Sequence, residues 1–127
     1  MAHNSITYDS ANGLILIVLR GAIDKAAIDE TRAEAARLAK QWNCFNVLAD
    51  LREAGSAVST MDIFELPQST AELLAAQGLS VHRFKRALVV GREIGDPTFF
   101  EAVSFNRGQN VRLFLEMEAA KQWLRED

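Results

Sequence analysis

The run Leu14–Leu19, LILIVL, is apolar at six successive positions. A strand with no polar face needs cover on both sides, so this one belongs inside a sheet with helices above and below it. Apolar strand, turn and amphipathic helix then alternate to the end of the chain, the pattern of an α/β fold on a mostly parallel sheet. That rhythm decides the fold class. It names no reaction, because no nucleophile with a base, no ligand cluster and no phosphate-cradling loop accompanies it.

A chain of 127 residues, 49% hydrophobic and 24% charged, is large enough for one self-sufficient core and too apolar for disorder. We therefore read 1–127 as a single domain. Its net charge of −3 gives no overall attraction for phosphates, so nucleic acid is excluded as the expected partner. Basic residues cluster only at Arg83, Lys85 and Arg86. The lone Cys44 cannot close an internal disulfide and reads as a small buried hydrophobe. With no signal-peptide pattern at the N-terminus and no apolar run long enough to span a bilayer, the expected location is the cytoplasm.

Ser5–Tyr8 and Leu14–Leu19 flank Asp9-Ser10-Ala11-Asn12-Gly13, whose short polar residues and glycine suit a hairpin turn, so the chain opens with an antiparallel pair. Asp24 is placed to cap a helix through Trp42, with Ile28, Thr31, Ala35, Leu38, Ala39 and Trp42 on its buried stripe. Asp29, Arg32, Glu34, Arg37 and Lys40 form the solvated face. Phe45–Leu51 is the next strand, and the preceding helix makes a right-handed crossover that sets it parallel to Leu14–Leu19. Arg52–Pro67 is irregular and reads as a loop of the length used for binding or as a lid. Ser69-Thr70-Ala71-Glu72 has capping-box spacing for a helix to Gln77 that stops at Gly78. Ala87–Val90 is the fourth strand, Asp96 and Pro97 open a helix to about Gly108, and Val111–Leu115 is the fifth strand. A last helix from Glu116 buries Ala120, Trp123 and Leu124.

Several residues invite a functional reading. On the helix after Asp96, Phe99, Ala102, Val103 and Asn106 share a face, while Phe105 falls about 140° away at 100° per residue. Phe105 is thus left partly outside, as an anchor for a partner or as an ordinary exposed aromatic. Phe64 and Leu66 on the irregular segment join Phe99 and Phe105 as candidate contacts. Ser59 and Thr60 are either helix caps or phosphorylation sites, since a phosphate at a helix N-terminus meets free N–H groups. Asp50 with Arg52 reads as a surface or capping pair at a strand end. His82 and His3 have no partners for a metal or catalytic site, and Gly91-Arg92-Glu93-Ile94-Gly95 lacks both P-loop and dinucleotide fingerprints. No metal and no cofactor is expected.

The order of elements, an opening hairpin and then strand-to-helix units closing on a strand and an amphipathic helix, resembles the STAS domain of the anti-sigma-factor antagonists. Phe84–Val90 (FKRALVV), the later NVRLF strand and the terminal Ala120, Trp123 and Leu124 look like the SpoIIAA-like branch, also described as STAS/SEC14-like. The resemblance covers essentially the whole chain and rests on packing signatures. It implies a five-stranded mixed, mostly parallel sheet opening with an antiparallel hairpin, with helices on its faces. In the antagonists a serine that caps a helix is phosphorylated by a partner kinase. Ser59 falls near that position, with Val58 where the antagonists carry an acid. The SEC14-type relationship implies a small apolar ligand or peripheral membrane contact.

The expectation that follows is a non-enzymatic regulatory or binding module. It would take a small apolar ligand or a protein partner through the 52–67 loop and the 96–109 helix. The alternative is a phosphorylation-switched partner protein with Ser59 or Thr60 as the switch. The alternation of Val111, Leu113 and Leu115 with Arg112 and Phe114 on an edge strand leaves a homodimer open.

Overall fold

The computed structural model describes residues 3–23, 25–56, 71–90 and 110–126. Among them a sheet of five strands runs in the order β1 (His3–Asp9), β2 (Leu14–Ile23), β3 (Asn46–Ser56), β4 (Lys85–Val90), β5 (Asn110–Phe114). β1 pairs antiparallel with β2, and every later neighbour is parallel. Three helices accompany it: α1 (Lys25–Trp42), α2 (71–76) and α3 (Met117–Arg125). This is the mixed, mostly parallel architecture expected.

The hairpin turn is built by Asp9. Its carboxylate accepts the backbone N–H of Ala11 at 3.0 Å and of Asn12 at 3.2 Å, and the Asn12 amide at 2.7 Å. Gly13 then takes φ +63°, which a side chain would resist.

Strands added always on the same side, through right-handed crossovers, carry their connections on one face. Accordingly α1 and α2 share a face and a core: Ile15, Ile17 and Leu19 of β2 with Val47 and Ala49 of β3, Phe84, Ala36, Leu38 and Ala39 of α1, and Leu74 of α2. α3 is not a crossover and covers the opposite face, where Leu14, Leu48, Ala87 and Val89 meet Ala120 and Leu124. Successive side chains of β2, β3 and β4 therefore alternate between two cores, which is why those strands read as unbroken apolar runs.

Both helices on the first face end alike. Asn43 follows α1 at φ +49° while the Cys44 N–H reaches back to the Ala39 carbonyl at 3.1 Å. Gly78 follows α2 at φ +78°, with Leu79 N–H on the Leu74 carbonyl at 2.8 Å and Gly78 N–H on Ala75 at 3.0 Å. Each is the left-handed stop that satisfies the last carbonyls of a helix.

Three expectations change. The segment read as a loop from Arg52 to Pro67 begins as strand, because β3 continues to Ser56 opposite an extension of β2: Arg20 faces Glu53, Gly21 faces Ala54 and Ile23 faces Ser56. A register shift between Val18 and Arg20 and the φ of +81° at Gly21 let β2 bend and go on pairing. Trp42, assigned to the buried stripe of α1, is 49% exposed; it stacks on Tyr8 of β1 at 4.6 Å, covering the sheet's end without entering the core. Leu115, assigned to the last strand, lies just beyond it and is exposed. Ser59, Thr60, Phe64, Leu66, Phe99 and Phe105 lie outside the described residues.

A candidate binding cavity

Between the α1 face of the sheet and the helices lies a cavity of about 190 Å³. Its floor is a row across three strands, Ile17 of β2, Ala49 of β3 and Leu88 of β4, which are register partners. Leu19, Val47, Leu51 and Phe84 extend that floor, Leu74 of α2 closes one side, and Thr31, Arg32, Ala35 and Ala36 of α1 form another wall. Three of its lining residues are alanines, Ala35 and Ala36 on the helix and Ala49 on the strand, whose small side chains leave room. An apolar cavity of roughly 150 Å³ holds one benzene ring, so this one has room for a ligand of that size or somewhat larger.

Thr31 is the one hydroxyl among the described lining residues. Its Oγ1 donates to the Ala27 carbonyl at 2.8 Å, so its hydrogen is spent on its own helix and the residue behaves as wall.

Among the described residues two guanidinium groups break the apolar surface. Arg86 sits at an inward position of β4, paired in register with Val47 of β3 and Val111 of β5. Burial, and next the charge of Arg32, push Arg86 down to about 10, which still leaves it cationic at neutral pH. Arg32, on α1, keeps only 15% of its side chain exposed and is paired with Asp29 one turn earlier. Among the described lining residues there is no carboxylate, imidazole or thiol. Apolar walls around a space of this size can hold an apolar body.

Neither arginine stands out in the sequence as a site residue. The helical pattern puts Arg32 on the solvated face of α1; the structure corrects this, because only 15% of its side chain is exposed and it lines the cavity with Thr31, Ala35 and Ala36. Arg86 was grouped with Arg83 and Lys85 as a basic cluster. The signal that separates it is the period of two in FKRALVV, which puts Arg86 on the same face as Phe84 and Leu88. The other members of the cluster have structural tasks: Arg83 lies 4.1 Å over the Phe45 ring, and Lys85 holds the end of α3.

Asp50 and Arg52 form the expected pair. Arg52 donates from Nε and a terminal nitrogen to the two carboxylate oxygens, each at 2.9 Å, and its backbone N–H adds a third bond at 3.2 Å. They lie inside β3 and not at its end, because the strand continues to Ser56. Cys44 is buried in the α1-side core as expected. Among the described residues no group of three or more His, Cys, Asp or Glu is arranged to hold a metal.

No protein-family model and no curated protein sequence matches the chain. Solved structures do. The anti-sigma factor antagonist SpoIIAA in its unphosphorylated form superposes with a TM-score of 0.57 at 15% identity, over 98% of this chain and 100% of that one. An uncharacterised DUF3478 protein from Shewanella loihica PV-4, described as having a SpoIIAA-like fold, gives 0.58 at 12% identity over 97% of this chain and 93% of its own. The Bacillus cell fate determinant SpoIIAA in its phosphorylated form gives 0.51 at 17% identity, over 95% and 99% of the two chains. Matching nearly end to end at so low an identity, they share with this chain a fold and not a demonstrated activity, and the fold of this chain is that of SpoIIAA and the STAS domain.

Proposed function

We propose that this chain is a non-enzymatic, regulatory binding module of the SpoIIAA type whose ligand is a small apolar molecule held in the cavity beneath α1. The observation that carries the reading is the cavity itself, apolar in all of its described lining residues but Thr31, Arg32 and Arg86, and large enough for a ring or a short acyl chain. Fold similarity to anti-sigma factor antagonists supports the regulatory setting. Phe64, Leu66, Phe99 and Phe105 retain the contact role that the sequence assigns them, and the cytoplasm remains the proposed location. Among the described residues no helix is long and apolar enough to cross a membrane.

Native mass spectrometry of freshly purified protein tests this directly and counts subunits in the same spectrum. A retained small molecule, or uptake of one from a panel of apolar fragments, supports the reading. A chain that stays bare throughout the panel overturns it.

A second reading takes Ser59 or Thr60 as a phosphorylation switch acting on a protein partner. It is supported by the same fold appearing in SpoIIAA solved in both phosphorylated and unphosphorylated forms. Peptide mapping of protein from its own host that covers this segment repeatedly and finds it unmodified counts against it.

A further inference from the structure

We infer that β1 is the interface for a second copy of this chain, the two β1 strands pairing antiparallel about a two-fold axis through Ile6 so that the two sheets join. Among the described residues β1 and β5 are the edges of the sheet, and each offers a row of backbone N–H and C=O groups on the side with no neighbouring strand. The two edges differ in protection. β5 has five residues, and the middle one, Arg112, is exposed. Antiparallel pairing of two copies about that position sets two guanidiniums against each other. β1 has seven residues, all paired with β2 without a register shift, and from Asn4 to Tyr8 it holds no charge and no proline. It lacks the lysine, proline or bulge that keeps an edge strand from pairing. The edge at Val111–Leu115, where the sequence leaves a homodimer open, is therefore the less suited of the two.

β1 is complementary to itself. A two-fold axis perpendicular to the sheet keeps α1 on the same side of both copies, so opposed side chains share a face and the axis passes through a residue. Placed at Ile6, it brings all seven residues of the strand into register. Exposed Ser5 then stands opposite exposed Thr7 of the partner subunit, twice, a pairing of hydroxyls that adjacent strands favour. On the other face the two Ile6 side chains meet, flanked by Tyr8 of each copy. Trp42 lies at this same edge, stacked on Tyr8 at 4.6 Å and 49% exposed. The pairing thus gathers on the α1 face apolar surface that each copy alone leaves to water.

The test is sedimentation equilibrium of the full chain at pH 7, with two double variants that share one change. The unmodified protein is expected to sediment at about twice the 14.1 kDa of one chain. Ser5→Lys with Thr7→Lys sets like charges opposite each other twice and is expected to weaken the dimer at least about tenfold. Ser5→Lys with Thr7→Glu sets opposite charges at the same positions and is expected to keep it. Both replaced side chains are exposed, so the thermal melts of the variants should match that of the unmodified protein. A single-chain mass for the unmodified protein at every concentration up to about 1 mM overturns the inference. So does a dimer that both variants leave unchanged, which places the contact elsewhere, and so does open-ended growth, which marks a head-to-tail contact. Because the first measurement uses the unmodified protein, the test stands even if a variant does not fold.

Discussion

The ammonium of Lys85 lies 4.6 Å from the centre of the Trp123 ring and donates to the Trp123 carbonyl, so one side chain of β4 grips the last turn of α3 by its ring and its backbone. A further bond to the Glu126 carbonyl at 2.6 Å completes the grip. A cation at a helix C-terminus meets both the unpaired carbonyls and the negative end of the dipole. Asn46 adds a bond from its amide to the Leu124 carbonyl at 3.4 Å. The final helix is thus anchored by polar contacts at its end as well as by Ala120 and Leu124 beneath it.

Lys85→Met keeps an apolar stem and removes the charge. It is expected to cost about 1 kcal/mol, from the lost cap and cation–π contact together. Urea denaturation followed by tryptophan fluorescence measures the loss. An unchanged midpoint would show that α3 is held by its apolar face alone.

Acid sensitivity should pass in part through Asp50. Its bidentate bond to Arg52 holds it below its ordinary value of 3.8, against an opposing push from burial. A carboxylate depressed in the folded state adds stability at pH values above that ordinary value. The contribution shrinks as the pH drops below it and is gone once the folded value is passed. Asp50→Asn should therefore lose stability at pH 6 and show a flatter decline between pH 6 and pH 3 than the unmodified protein. Parallel declines in urea titrations at both pH values would assign the acid limb elsewhere.

Two left-handed helix stops predict opposite responses. Asn43 at φ +49° carries a Cβ in a region that favours glycine, so Asn43→Gly should be neutral or stabilising by up to about 1 kcal/mol. Gly78 at φ +78° has open space where a Cβ would stand, so Gly78→Ala should cost about 1 kcal/mol from backbone strain alone. Thermal melts of the two variants should move to opposite sides of the unmodified protein.

Core and cavity positions separate by substitution. Leu48 is fully buried on the α3 face, and Leu48→Ala should destabilise by about 3 kcal/mol. Ala49, its neighbour on the opposite face, borders empty space. Ala49→Val should stay within about 1 kcal/mol, where the same enlargement in a filled core costs about 1–3 kcal/mol. The Ala49 variant should also weaken binding of an apolar fragment such as benzene. Denaturation and calorimetry on the same preparations check both parts.

The local signals were legible where they depend on local geometry. Asp9 and Gly13 announced the hairpin, Gly78 the end of α2, and the spacing of Ala120, Trp123 and Leu124 the inner edge of α3. Boundaries failed where a distant strand decided them: β3 runs to Ser56 because Ile23 and its neighbours lie opposite, and nothing within Arg52–Ser56 states that partnership. Trp42 has the right helical phase for burial, yet α1 lies over β1 and β2, and its last turn overhangs the hairpin at Tyr8.

Sequence alone determined the alternation of two faces, because a period of two or 3.6 records which side of an element meets other atoms. Tertiary structure alone decided what occupies the space between them. Ala35, Ala36 and Ala49 are ordinary small residues until α1 is set over the sheet, where together they leave a cavity. Arg32 and Arg86, 54 positions apart in numbering, come to line one cavity only when the sheet and α1 are assembled. Volume and charge at a site are sums over elements brought together by long-range pairing, and no single stretch of chain carries the sum.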